Sequence, residues 1–323
     1  MGFVDELKLP FEIEDRYELK GQLGAGGMGS VFRAYDKQMG RDVALKVILP
    51  ELMDVKEVKK RFKREVQVLA KVQHANVIKL FDYYEGGPGA SQVYTMEFIK
   101  GDSLHELRQC GPLKPARALK LFRQLADGLA ATHELSILHR DIKARNIVLT
   151  EDDIPIIIDF GLSRPDSSAV FTKLTKTGAL VGTMAYLPPE VFANQDFDSL
   201  CDVYQLGLVF YEVLTGTFPF EDAKIDDIVF GKTLEKLAAP SEVIDLPDEY
   251  LFLDELIKRT IGPRDERPQA RELCQLLDSR MKGQSPTRET KPRSRKRSDQ
   301  VEAKWRKSIA YLFPILSLCT LLI

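Results

Sequence analysis

The stretch ILHRDIKARNIVL, residues 137–149, constrains this chain more than any other. Apolar runs flank it on both sides, and between them stand His139, Arg140, Asp141, Lys143, Arg145 and Asn146. Two runs that belong in a core therefore carry six polar heads between them. Burying a charge without a partner is costly. The segment demands a dense internal network, a bound ligand, or both. Downstream, IIIDFG (156–161) puts Asp159 at the exit of another buried-looking strand, and the same question arises there.

The chain has 323 residues, 44% hydrophobic and 29% charged, enough for about two lobes or domains with a real core. Net charge is −2, so nothing global points to nucleic acid. The balance is uneven: residues 282–307 hold ten Lys/Arg against three Asp/Glu. Cys110, Cys201, Cys274 and Cys319 form no zinc or redox motif, which fits a reducing compartment. The start, MGFVDELKLP, lacks the basic head and apolar core of a signal peptide. Glu6 stands where an N-myristoylation signal wants Ser or Thr.

Residues 17–49 alternate apolar and polar around a glycine cluster and predict strands joined by a tight turn. Apolar residues at 55, 58, 62, 66 and 69 predict one face of a helix. SQVYTMEFI predicts a strand. Beyond Gly101 the pattern turns helical, with Leu119, Phe122, Leu125 and Leu129 in one long helix and 200–214 in another. The Ser-, Pro- and Arg-rich run from Lys282 reads as a linker.

Three motifs carry chemistry. GQLGAGGMGSVF contains Gly24, Gly26, Gly29 and Val31 in a G-x-G-x-x-G-x-V pattern. Glycines let a backbone approach phosphates and aim N–H groups at them. Alone the pattern also suits a dinucleotide site, although the strand-like VFRAY that follows favours a hairpin over a strand-to-helix turn. An ordinary Gly-rich hairpin is equally compatible. Lys46 in DVALKVI lies inside an apolar strand and needs a partner or ligand. Glu65, on the following helix, could pair with it over phosphates, whereas a solvated helix glutamate is the plainer reading of Glu65 taken alone. In HRDIKARN and DFG, Asn146 and Asp159 supply hard oxygen ligands suited to Mg²⁺. Asp141 can accept a hydroxyl proton, and Lys143 can neutralise a transferred phosphoryl group. Such a gathering suits phosphoryl transfer, which needs positioning and charge stabilisation.

In this order, the glycine loop, VALK, Glu65, HRDIKARN, DFG and PPE resemble a eukaryotic-type (Hanks-type) Ser/Thr protein kinase over residues 17–280 or so. The style of LGAGGMGSVFRAYD is most similar to bacterial members, some of them membrane-associated. The resemblance implies an α+β two-lobed kinase fold, with a β-rich N-lobe at about 17–99 and a helical C-lobe at about 100–281. Residues 1–16 would be an N-terminal extension, 282–307 a basic linker, and 308–323 an apolar C-terminal segment. It implies ATP with Mg²⁺, Mn²⁺ being an alternative, and protein substrates. Leu23 and the three glycines would contact ATP, Val31 and Ala44 would cover the adenine, and Val148 would lie beneath it. Met96 would be the gatekeeper, with Glu97 and Ile99 offering hinge backbone groups. Lys46, held by Glu65, would grip the α- and β-phosphates. Asp141 would be the catalytic base, and Asn146 and Asp159 the metal ligands. Lys143 marks the Ser/Thr form. Asp202 would tie the catalytic loop to a helix beneath it, and Arg267 would pair with Glu190. Pro188 and Ala75 depart from the family pattern without touching the chemistry.

Between Asp159 and Glu190 lie Thr172, Thr175 and Thr177. LTKTGALVGT resembles an autophosphorylated segment, which favours Thr175 and Thr177, with Arg140 as the partner of the added charge. Thr183 would stay unmodified against the catalytic loop. His74, His105 and His133 read as packing or surface residues, and His139 as structural. A pseudokinase scaffold is the alternative, weakened because Lys46, Asp141 and Asp159 are all present. A small-molecule phosphotransferase is weakened by GTMAYLPPE, which resembles a peptide-docking surface. Pairing of two copies through the N-lobe is a further expectation from related bacterial kinases.

The chain ends in SIAYLFPILSLCTLLI, without a charged side chain, after a basic flank with Trp305. Sixteen helical residues reach about 24 Å, short of the usual span of about 20 residues, and Pro314 interrupts them. The flank still suits a membrane interface. The expectation is a single-pass anchor with the kinase domain in the cytoplasm, or a cytoplasmic protein if the tail does not insert.

Overall fold

The computed structural model describes residues 11–26, 29–49, 56–86, 91–161, 185–193, 196–220 and 237–282. The chain divides into two units, Met1–Asp278 and Ser279–Ile323. Thr172, Thr175, Thr177, Thr183 and the apolar tail 308–323 lie outside the described residues. Among the described residues, no helix is long and apolar enough to cross a membrane.

The smaller lobe is an antiparallel sheet of β1 (Tyr17–Gly26), β2 (Gly29–Asp36), β3 (Arg41–Ile48), β4 (Leu80–Tyr84) and β5 (Gln92–Glu97). Their order is β1-β2-β3-β5-β4. Strand side chains alternate between faces. One face packs Phe32, Ala34, Val43, Leu45, Val47 and Val93 into a small core. Helix α1 (Phe11–Arg16) closes that face through buried Ile13, so part of the stretch set apart in sequence as an extension packs against the sheet. Arg16 fastens it, donating to both carboxylate oxygens of Asp36 at 3.0 and 2.7 Å.

The opposite face presents Ala44, Ile48, Tyr94 and Met96 to the main core. Lys46 shares the parity of Ala44 and Ile48, so the strand's own period carries a cation inward. Helix α2 (Lys56–Leu69) packs there through Phe62, Val66 and Leu69, on the predicted three-and-four spacing. The β1–β2 turn needs glycine at one place. Gly29 has φ of +143°, and an added Cβ would stand 1.9 Å from the Val47 carbonyl oxygen.

The larger lobe contains helices α3 (Leu104–Gln109) and α4 (Pro115–Glu134), and a three-stranded sheet of β6 (Gly101–Ser103), β7 (Ile147–Thr150) and β8 (Pro155–Ile157). Then come α5 (Pro189–Phe192), α6 (Ser199–Thr215), α7 (Pro240–Val243), α8 (Phe252–Ile261) and α9 (Ala270–Met281). Pro115 opens α4 at a position where its missing N–H costs nothing. Asp198 caps α6, its side chain accepting from the N–H groups of Leu200 and Cys201. Every residue of α6 from Cys201 to Thr215 is buried, as expected of a helix that is apolar nearly all round. Phe122 of α4 and Phe210 of α6 stack with centroids 4.0 Å apart. Helix α6 nevertheless buries Asp202, Gln205 and Glu212, and the first two reach residues 139–142.

Candidate active site

The catalytic loop is built on α6. The Asp202 carboxylate, fully buried, accepts the backbone N–H groups of His139 and Arg140, each at 2.8 Å. One turn on, the Gln205 side-chain oxygen accepts the Ile142 N–H at 3.0 Å. Three successive anchors let Arg140 sit at φ +64°, a left-handed conformation that a non-glycine residue holds only when its surroundings enforce it. His139 is buried against the Phe160 ring. Its Nε2–H donates to the Ile158 carbonyl at 2.9 Å, and its Nδ1 accepts the Asp141 N–H at 3.2 Å. Both ring nitrogens are thus engaged as in a neutral imidazole.

Asp141 is thereby fixed from behind and held in front. Its Oδ2 accepts from Lys143 Nζ at 2.9 Å and from Asn146 Nδ2 at 3.1 Å. Asn146 also donates to the Asp141 carbonyl at 2.8 Å. Its own carbonyl accepts the Ile158 N–H at 2.9 Å, which brings the loop beside the exit of β8 and Asp159. Asp159 sits at φ +55°, a second strained residue in the same place.

The expected pairing of Lys46 with Glu65 is corrected here. Lys46 forms its ion pair with Asp159. Glu65 Oε1 instead binds Arg140 Nη1 at 2.8 Å. The second Glu65 oxygen is buried with no hydrogen-bond partner among the described residues. The anchored, left-handed Arg140 sends its side chain to α2, and Asp159 meets Lys46 directly. Lys46 thus meets the carboxylate expected on the metal, and Glu65 meets the arginine expected to take an added phosphate.

The other expected residues lie on β1, β2, β3, β5 and β7 and just beyond β5. In the sheet register Val31 stands opposite Lys46 and Ala44 opposite Met96. Ala44 and Met96 are buried, Val31, Ile99 and Val148 half-buried, and Leu23 is 51% exposed. A Cβ at Gly24 or Gly26 would meet nothing within 4 Å, so packing does not explain these glycines. The Glu97 N–H already donates to the Lys79 carbonyl at 2.9 Å, which removes that donor from a ligand. Among the described residues no cluster of three His, Cys, Asp or Glu side chains could hold a metal by itself. Mg²⁺ is typically held by one or two carboxylates together with substrate phosphates. Asp159 and the Asn146 side-chain oxygen are the donors that would hold it here, with Asp159 paired to Lys46 in this structure.

Further from the chemistry, Arg267 donates to both oxygens of Glu190, one of the two bonds at 3.0 Å, with both side chains nearly inaccessible. Sequence reasoning missed two contributors. His133, read as packing or surface, places Nε2 2.9 Å from Asp202, and Gln205 was not singled out at all. The signal for Gln205 was available: positions 202 and 205 share a helix face.

The protein kinase domain family model matches residues 17–293. The chain belongs to this family. Serine/threonine-protein kinase pkn2 of Myxococcus xanthus is 36% identical over 212 residues, covering 65% of this chain and 25% of that protein. A probable serine/threonine-protein kinase of Corynebacterium efficiens is 34% identical over 279 residues, 84% of this chain and 42% of the relative. PknD of Mycobacterium tuberculosis is 35% identical over 228 residues, 70% of this chain and 34% of the relative. The chain therefore spans well under half the length of these relatives. The PknI kinase domain crystal structure from M. tuberculosis superposes with a TM-score of 0.62 at 22% identity, covering 82% of this chain and 95% of that one. That likeness supports the two-lobed kinase fold.

Proposed function

We propose that this kinase domain transfers the γ-phosphoryl group of ATP to Ser and Thr hydroxyls of proteins. The observation that carries the reading is the gathering of Lys46, Asp141, Lys143, Asn146 and Asp159 at one cleft, with Asp141 oriented by two donors. Asp141 would take or orient the proton of the acceptor hydroxyl. Lys143, already on Asp141, would meet the charge of the phosphoryl group. Lys46 would grip phosphates. Asn146 and Asp159 would hold Mg²⁺, or Mn²⁺ in its place, and the cation would neutralise charge on the phosphates. A general base is typically worth ~10²–10⁴-fold. Purified Asp141→Asn should keep ATP binding and lose transfer by about that factor. Turnover near the wild-type level would sink the assignment, and a wild type that binds ATP without transfer would favour the pseudokinase alternative.

Regulation follows from the exchanged pairs. A phosphate on Thr175 or Thr177 would bring about −1.5 to −2 charge and compete with Glu65 for Arg140. Glu65 would then be released toward Lys46, and Lys46 away from Asp159. Mass spectrometry should find phosphate on one of these threonines in active protein. A fully active Thr175→Ala/Thr177→Ala protein, with both sites empty in the wild type, refutes this.

Two finer readings rest on sequence. Residues 308–323 would anchor the chain in a membrane, with the domain on the cytoplasmic side beside the basic flank. The full chain should then resist carbonate extraction, whereas a chain ending at Gly283 should be soluble and active. Two copies would pair through the N-lobe, which light scattering of the soluble domain checks.

A further inference from the structure

Of the polar heads gathered in residues 137–149, Arg145 is the one that the site leaves unused. His139, Arg140, Asp141, Lys143 and Asn146 all bond within it. Arg145 stands in the middle of a 3₁₀ turn, Ala144–Asn146, whose two outer residues are buried while it is exposed. Among the described residues it makes no hydrogen bond and no ion pair. A guanidinium keeps its proton at any working pH and only donates, so a full positive charge stands open beside the loop that carries Asp141.

The charges on the elements packed against this turn do not cancel it. Helix α3 and strand β6 lie there. Glu106 Oε2 of α3 accepts from the Ser103 N–H at 2.8 Å and the Ser103 hydroxyl at 2.7 Å, which closes the cap of its own helix. Arg108 of α3 is matched by the buried Glu212 at 3.1 Å. Burial, and after it the charges of Arg145 and Arg108, holds His105 below its ordinary value, so it is neutral at pH 7. Asp141 already meets Lys143 and Asn146. Asp102 of β6 is exposed and unpaired, but it stands opposite Leu149, four residues beyond Arg145 along the chain and away from Asp141.

Arg145 is four residues from Asp141, so at most about 14 Å of chain separates them. An extended peptide whose acceptor hydroxyl meets Asp141 covers that distance in about four residues. Arginine matches a carboxylate with two parallel N–H···O bonds. We propose that Arg145 is a specificity-determining residue that selects acceptors carrying Asp or Glu within about four residues of the phosphorylated Ser or Thr. This rests on the protein-kinase reading above. The effect falls on the acceptor and spares the nucleotide, whose expected contacts lie on β1–β3, β5 and β7.

The test is phosphorylation of a positional-scanning Ser/Thr peptide library by wild type, Arg145→Gln and Arg145→Glu. Wild type should prefer Asp or Glu over Lys or Arg at one or more of those positions by about fivefold, the scale of one exposed ion pair. Arg145→Gln should erase the preference and Arg145→Glu should reverse it, with the KM for ATP moving less than about twofold in both. If Arg145→Glu does not fold, Arg145→Gln carries the test. Salt of about 1 M should shrink the wild-type preference, since screening then acts within about 3 Å. Equal use of acidic, neutral and basic peptides by the wild type overturns the inference and leaves the kinase reading standing. So does an acidic preference that survives both substitutions, or an equal fall on every peptide, which marks a role in holding the loop. A wild type that phosphorylates no peptide or protein overturns both readings.

Discussion

The ion pairs that β3 and α2 make with Asp159 and Arg140 differ in kind from those beneath the catalytic loop. Lys46–Asp159 joins a buried lysine to an aspartate that is 34% accessible, and both members of Glu65–Arg140 are partly accessible, Glu65 by 22%. Each charge there has a second candidate partner within the same group of four. Glu190–Arg267 and the Asp202 bonds are closed to solvent, and the groups they hold have fixed identities. A pair that water reaches is screened more than a closed one and exchanges more readily, whereas breaking a buried pair leaves a charge stranded. One region is built to hold geometry and the other to change it.

The largest effect should come from breaking the fixed region. Arg267→Met leaves Glu190 charged and buried, and should cost about 3–5 kcal/mol in urea unfolding. A loss below about 1 kcal/mol would place this pair with the exchangeable ones. Next is His133→Phe, which removes a donor from the buried Asp202 carboxylate. It should cost about 1–3 kcal/mol, with His133→Gln recovering part of the loss. Equal stability of all three proteins would show that Asp202 does not need this donor.

Smaller effects should follow in the exchangeable region. Glu65→Gln should cost less stability than Arg267→Met, yet weaken ATP binding in protein phosphorylated on its loop. A fall in stability as large as that of Arg267→Met would erase the contrast. The smallest effect is pH-dependent. The Arg16 guanidinium, ahead of two backbone N–H groups, holds the Asp36 carboxyl below its usual range. A carboxyl depressed in the folded state adds stability above its unfolded pKa of about 3.9, and that stability is lost as pH falls through the lower folded value. The stability gap between wild type and Arg16→Met should therefore shrink between pH 7 and pH 3. A gap that widens in acid would mean that Arg16 acts through packing alone.

Much of this was legible along the chain. The order of the motifs, the period of β3 that turns Lys46 inward, the spacing of Phe62, Val66 and Leu69 on α2, and the buried character of 200–214 depend on neighbours a few residues apart. Local pattern reports such neighbours directly. The identity of the chemical groups was legible for the same reason, since Asp141, Lys143 and Asn146 lie within one short loop. The partners were not. Glu65 and Arg140 are 75 residues apart, and Lys46 and Asp159 are 113 apart. Whether Glu65 meets a lysine or an arginine depends on how α2 lies against the sheet and on the left-handed turn that Asp202 imposes on Arg140. The same holds for His133 on Asp202. Sequence alone determined which charges this protein brings to its cleft; the tertiary structure decided which of them neutralise one another, because Coulomb energy depends on distance in space and sequence spacing fixes that distance only within a single element.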